Sequence, residues 1–369
     1  MSKKNIFSSL RLRQVLNDLK RRPEDAARSL KLNKNLFNQY LNGKKDIDEN
    51  FVKKFIEKFP VTINEFLNPN YHTKTNFKIM RASESKKTSR VMQRGGKNYY
   101  EYRDTVMDRH APFRPEWIRI LNYVDSNNPN SKSLKWNRGH LLHQLTYFIG
   151  KINFYYVDKN KKKKTAVLNT GDSMYIAPYV PHTFSSRDKK CEGYIVAITF
   201  SDKISTDVQN YVARLGQEKI KKTIFNEKFK EQVKVTVKKS SKFKNKTLNK
   251  NNFKVYNLAS NNIVPDTNFF QVEVKKNNSE INTSYFHQYI YILSERTNMV
   301  INKKNFNLKR GDTVYLQPMT SFKLNKKSFK AVITQVQSIL NQETREQIFH
   351  LGANNLNRLV SDNSQWFKK

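Results

Sequence analysis

The chain repeats itself, and that repeat limits its folds more than any other feature. His143-Gln144-Leu145-Thr146-Tyr147-Phe148-Ile149 matches His287-Gln288-Tyr289-Ile290-Tyr291-Ile292-Leu293, and GDSMYIAPYVPHTF (171–184) matches GDTVYLQPMTSFKL (311–324). Both copies consist of short β-branched and aromatic runs broken by Gly, Asn and Pro, the texture of antiparallel sandwich or barrel strands. Two β-rich units built to one plan are expected, and each copy supplies the other with a comparison sequence.

A helical region precedes the first copy. Leu10, Leu12, Val15, Leu16 and Leu19 recur at helical spacing, Pro23 suits a helix first turn, and Lys31-Leu32-Asn33 is a short turn into a helix closed by Gly43. Phe51, Val52, Phe55 and Ile56 mark a fourth helix. This pattern resembles the repressor-type helix-turn-helix. It reads either as DNA recognition through Asn35, Asn38 and Gln39 or as a packing module that no longer uses DNA. The expected organisation is a helical domain over 1–70, a linker over 71–98, a first β unit over 99–200, a degenerate helical segment over 201–255, a degenerate β unit over 256–340 and a C-terminal helix over 341–369.

Charge gives a competing clue. The 69 Lys+Arg against 31 Asp+Glu leave a formal charge of +38, which favours an anionic partner. The lysines are scattered in runs such as Lys161 to Lys164, so a compositional background explains them better than one nucleic-acid face, and DNA is not the expected partner. Cys191 is the single cysteine, which excludes intrachain disulfides and cysteine-only metal clusters. The start lacks the apolar stretch of a signal peptide and no run reaches the length of a membrane span, so a cytoplasmic protein is expected.

Chemistry concentrates in GHLLHQ (139–144) and PYVPHTF (178–184). Strand alternation puts His140, Leu142 and Gln144 on one face and His143 on the other. In the second copy His140 and His182 are replaced by Ser284 and Phe322, whereas His143 and Gln144 persist as His287 and Gln288. His143 and His287 therefore read as structural. His140 and His182 are lost together, as metal ligands would be. Two such histidines plus an oxygen donor suit non-haem ferrous iron. Gln144 could be that donor or, because Gln288 persists, a structural residue.

These motifs resemble the two motifs of the cupin superfamily. A helix-turn-helix fused to a duplicated cupin is similar to the iron-dependent phosphonate dioxygenases. The resemblance implies an α+β chain: a helix-turn-helix domain, then tandem double-stranded β-helix (cupin) barrels, the second degenerate. In one branch of that family the carboxylate ligand lies six residues before the last histidine, here Ile176, and in another four residues after the first, here Gln144. A third branch uses two histidines and a glutamine with an aliphatic residue at the vacated site, and this sequence is similar to it at both positions. The resemblance implies Fe(II) on His140, Gln144 and His182. It also implies substrate contacts from Asn137, from Arg94 and Tyr102 at their eight-residue spacing, and from Lys20 at the end of the first helix, with Lys20 and Tyr102 catalytic. The implied reaction cleaves the carbon–carbon bond of 2-hydroxyethylphosphonate with dioxygen to methylphosphonate and carbon dioxide. The alternatives are a sibling outcome, hydroxymethylphosphonate plus formate, and a DNA-binding regulator with a ligand-sensing cupin. A homo-oligomer is expected.

Overall fold

The computed structural model describes residues 6–356, apart from 69–74, 191–192, 202, 226, 229–232, 244, 249–252, 260–265, 276–281, 325–328 and 338–340. Cys191 and the end of the expected C-terminal helix lie outside the described residues. The chain divides into two compact units, 1–75 with 342–369, and 76–341.

The first unit holds helices α1 (Ser9–Asp18), α2 (Pro23–Ser29), α3 (Lys34–Leu41) and α4 (Glu49–Lys58), with a short 3-10 turn at Ile63–Phe66. Leu12, Leu16, Ala26, Phe37, Val52, Phe55 and Phe66 are almost completely buried in its core. Pro23 is the first residue of α2. Asn33 caps α3 by accepting from the Asn35 N–H at 2.8 Å, and Asp48 caps α4 by accepting from Phe51. Lys20 follows α1 in the left-handed region, φ 55°, with its N–H on Asn17 O.

The second unit begins where a linker was expected. Residues 71–98 contain β1 (Phe77–Met80), α5 (Ala82–Lys87) and β2 (Arg90–Arg94). β1 pairs with Thr313–Leu316, far along the chain, whereas the exposed β2 forms a hairpin with the strand that follows it. The strands β3 (Lys97–Asp104), β4 (Phe113–Ile120), β5 (His143–Ile149), β6 (Ile152–Val157), β7 (Lys163–Leu168), β8 (Ser173–Ile176), β9 (His182–Ser186) and β10 (Tyr194–Phe200) follow. After α6 (Thr206–Leu215) and α7 (Gln217–Ile224) come β11 (Val235–Lys238), β12 (Asn245–Leu248), β13 (Phe253–Asn257), β14 (Thr267–Val274) and β15 (His287–Ile292). The remaining strands are β16 (Arg296–Ile301), β17 (Lys304–Lys309), β18 (Thr313–Leu316), β19 (Phe322–Leu324) and β20 (Lys330–Val336), and α8 (Gln342–Leu351) belongs to the first unit. The degenerate segment 201–255 thus holds two helices followed by strands.

Each copy builds one seven-stranded and one three-stranded antiparallel sheet. The large sheets run β11-β8-β5-β10-β4-β3-β2 and β1-β18-β15-β20-β14-β13-β12, and the small ones β7-β6-β9 and β17-β16-β19. The orders are equivalent strand for strand, with one exchange: β1 edges the second sheet and β11 edges the first. The GD turn of each copy receives the exchanged segment. Asp312 accepts from the Ala82 N–H at 2.8 Å and from Arg81 at 2.9 Å, while Asp172 accepts from the Ser240 N–H at 2.7 Å and pairs with Lys239.

The two halves share one core, in which Phe113 packs against Tyr289 and Tyr315 and Tyr147 donates to Gln271 at 2.9 Å. His143 and His287 occupy equivalent places. Their Nδ1 atoms lie 2.8 Å and 2.7 Å from the hydroxyls of Tyr175 and Tyr315, each ring stacked on its tyrosine. Among the described residues no helix is long and apolar enough to cross a membrane.

Candidate metal and phosphonate site

A cavity of about 400 Å³ opens between the two sheets of the first copy. Its walls include Arg94, Tyr102, Asn137, His140, Gln144 and His182, six of the seven residues expected from sequence. Lys20 belongs to the helical unit and is not among the lining residues.

His140 is not on a strand; it sits in the loop just before β5. Strand alternation therefore does not place it, and a close backbone contact does. Its carbonyl accepts from the Tyr179 N–H at 2.7 Å. The preceding Gly139 has φ +79°, and a Cβ there would fall 2.5 Å from the Tyr179 carbonyl carbon. In this conformation position 139 has no room for a side chain. The second copy repeats the contact, with the Met319 N–H on Ser284 O at 2.7 Å, and both Tyr179 and Met319 have positive φ. The scaffold survives there without its histidines.

The donors converge. His140 Nε2 lies 3.1 Å from Gln144 Oε1, and the His140 and His182 rings are 5.3 Å apart, nearly perpendicular. His182 donates through Nδ1 to the Val180 carbonyl at 2.8 Å, which leaves the Nε2 lone pair facing the cavity. Burial pushes the His182 pKa down to about 4, so the ring is neutral, the state that binds a metal. Asn137 Nδ2 donates to the Nε2 lone pair at 3.0 Å, a contact that a metal would displace, and its Oδ1 accepts from the His182 and Gly139 N–H groups, both at 2.9 Å. His140 Nδ1 is buried with no hydrogen-bond partner. Two imidazoles and an amide oxygen fit a divalent metal with open positions. Among the described residues no group of three or more His, Cys, Asp or Glu side chains could hold one. Gln144 Oε1 is an amide oxygen beside the His140 ring.

Cationic and phenolic groups flank this cluster. The Arg94 guanidinium lies 4.9 Å from the Tyr100 ring and 5.4 Å from the Tyr99 ring, and donates to Lys135 O. Burial raises the Tyr102 pKa, so its hydroxyl stays protonated and can donate. Sequence reasoning missed Arg114, Glu116 and Thr199, which also line the cavity. Glu116 is half-buried, and burial raises its carboxyl pKa. The missed residues on β4 follow from a start read at Trp117. Pro115 stands two residues earlier, in the centre of a sheet where proline is unexpected, paired with Ile198.

No protein-family model matches the chain. It is 31% identical to methylphosphonate synthase of Nitrosopumilus maritimus (strain SCM1), over 96% of this chain and 94% of the relative. It is 29% identical to (S)-2-hydroxypropylphosphonic acid epoxidase of Streptomyces wedmorensis, over 28% of this chain and 50% of that enzyme. Among solved structures, hydroxyethylphosphonate dioxygenase of Streptomyces albus, with 2-hydroxyethylphosphonate and Fe(II) bound, superimposes with a TM-score of 0.87 at 24% identity, covering 97% of this chain and 98% of that one.

Proposed function

The chain belongs to the methylphosphonate synthase family, and we propose that it cleaves the carbon–carbon bond of 2-hydroxyethylphosphonate with dioxygen, releasing methylphosphonate and carbon dioxide. The observation that carries this reading is the convergence of His140, Gln144 and His182 in a cavity that also holds Arg94 and Asn137. One hydroxyethylphosphonic acid and one dioxygen balance one methylphosphonic acid, one carbon dioxide and one water. No external reductant is needed.

Ferrous iron held by these three side chains supplies the redox chemistry that activates dioxygen. A neutral glutamine leaves a full +2 on the metal site, where a carboxylate would leave +1, and so favours a dianionic ligand. The chain's own groups then have separate tasks. Arg94 and Asn137 meet the phosphonate oxygens with charge-assisted and neutral hydrogen bonds. Tyr102 donates its proton-bearing hydroxyl toward the same anion, and burial keeps that proton in place. Val180 O fixes the tautomer of His182, and Asn137 ties the ring to the loop carrying His140.

Lys20 is proposed as a further substrate-binding and catalytic cation on the family resemblance alone. The same resemblance supports a helix-turn-helix reading of α1 to α4 without DNA as its ligand, and a homo-oligomeric assembly. The deciding experiment incubates the full chain with Fe(II), dioxygen and 2-hydroxyethylphosphonate and follows phosphorus NMR. Methylphosphonate as product is expected. Hydroxymethylphosphonate plus formate would assign the sibling outcome, and intact substrate with specific retardation of DNA at 150 mM salt would assign a regulator.

A further inference from the structure

We propose that Thr146 is a positioning residue that locks the Gln144 amide with its oxygen, not its nitrogen, toward His140 and His182. Gln144 Nε2 donates to Thr146 Oγ1 at 2.8 Å, while Oε1 lies 3.1 Å from His140 Nε2. Thr146 is fully buried and does not line the cavity, so water does not reach its hydroxyl.

An amide needs such a lock where a carboxylate does not. Both carboxylate oxygens can bind a metal, so rotating the group by 180° changes nothing. A rotated glutamine presents an NH₂ with no available lone pair. A site that uses glutamine must therefore fix the amide from behind, as metal sites fix the tautomers of their histidines.

The second copy shows the same strand without the lock. Gln288 stands at the Gln144 position, but Ile290 replaces Thr146. Gln288 Oε1 accepts from Gln335 Nε2 at 2.9 Å, and its own Nε2 is buried with no partner. Gln335 faces Gln288 across the sheet just as Thr199 faces Gln144. The copy that has lost both histidines has thus also lost the hydroxyl, and its amide oxygen points to a neighbouring strand.

The inference rests on the proposed ligand set, and metal affinity tests it apart from turnover. Fe(II) binding is measured anaerobically by chelator competition in the full chain, with thermal melts of the metal-free protein as a folding control. Thr146→Val should weaken Fe(II) binding about 10–100-fold, and Thr146→Ser should stay within about threefold of the parent because it keeps the hydroxyl. In a Gln144→Glu background, where orientation no longer matters, Thr146→Val should cost less than about threefold. Unchanged affinity in Thr146→Val, or an equal loss in the glutamate background, would overturn the proposal. A parent protein that binds no Fe(II) removes the ligand set and this inference together. A parent that binds Fe(II) but leaves substrate intact removes the proposed reaction only.

Discussion

Gln144 and Ile176 are directly opposite each other across β5 and β8. The two ligand positions that distinguish branches of the phosphonate dioxygenases are therefore neighbours on one face of one sheet. A carboxylate at either place could reach the same metal, and this chain fills one with an amide and the other with a fully buried aliphatic side chain. Ile176→Glu should destabilise the metal-free protein by about 3–5 kcal/mol, the cost of an unpaired buried charge, and lower its melting temperature by ~10 °C. Fe(II) should recover most of that loss by coordinating the new carboxylate. Thermal melts with and without Fe(II) test this; a variant that gains no more from the metal than the parent does would refute the shared-face argument.

His143 and His182 are both buried, yet they face different surroundings. His143 packs between Tyr175 and Phe200 on the side of β5 away from the cavity, while His182 presents Nε2 to it. His182→Ala should abolish Fe(II) binding. His143→Ala should leave iron affinity within about twofold and cost roughly 1–3 kcal/mol through the lost hydrogen bond to the Tyr175 hydroxyl. Metal titration and urea unfolding of both variants separate the roles, and comparable iron loss in the two would contradict them.

The repeat made the architecture readable, because matching strands in two copies identify the strands and the lost histidines at once. Arg94, Tyr102, Asn137, His140, Gln144 and His182 indeed meet in one cavity. Most of what stayed hidden depended on contacts remote in sequence. Within the expected linker, β1 pairs with β18 and the Ala82 N–H meets the Asp312 carboxylate, both far along the chain, while β2 is an exposed strand in a local hairpin with β3. His140 was placed by strand alternation, but a Gly139–Tyr179 backbone contact positions it. Glu116 was invisible because Pro115 masks the strand that carries it into the cavity.

His287 makes a pH-dependent contribution to stability that involves no metal. Burial pushes its pKa down to about 4 from the ordinary 6.5. The unfolded chain therefore binds more protons than the folded one between pH 6.5 and 4, so stability is full above 6.5 and falls as pH drops through that window. The shift corresponds to about 3 kcal/mol over the whole window. Urea midpoints of metal-free protein at pH 7 and pH 5 should show the decline, and His287→Gln should reduce it. His182 contributes a parallel loss, so the comparison between parent and variant isolates His287. An identical pH slope in the two proteins would exclude His287 as a source.

Glu116 sets a second pH dependence, this time in ligand binding. It lines the cavity near Tyr102 with a carboxyl pKa raised mainly by burial and further by Asp104, against the opposing pull of Arg90. Arg90 makes its close ion pair with Asp104 instead, at 2.7 Å. A phosphonate dianion entering this cavity would meet a like charge whenever Glu116 is ionised, and binding is then coupled to its protonation. Affinity should fall as pH rises through the carboxyl's raised pKa, since the ionised group repels the ligand. Glu116→Gln should remove that dependence and tighten binding several-fold at pH 8, a gain of about 1 kcal/mol for one screened charge across a wet cavity. Ethylphosphonate is a suitable probe because it lacks the reacting hydroxyl, and titration calorimetry in steps from pH 4 to pH 8 measures both effects. Equal pH dependence in the parent and the variant would place the Glu116 charge outside the reach of the anion.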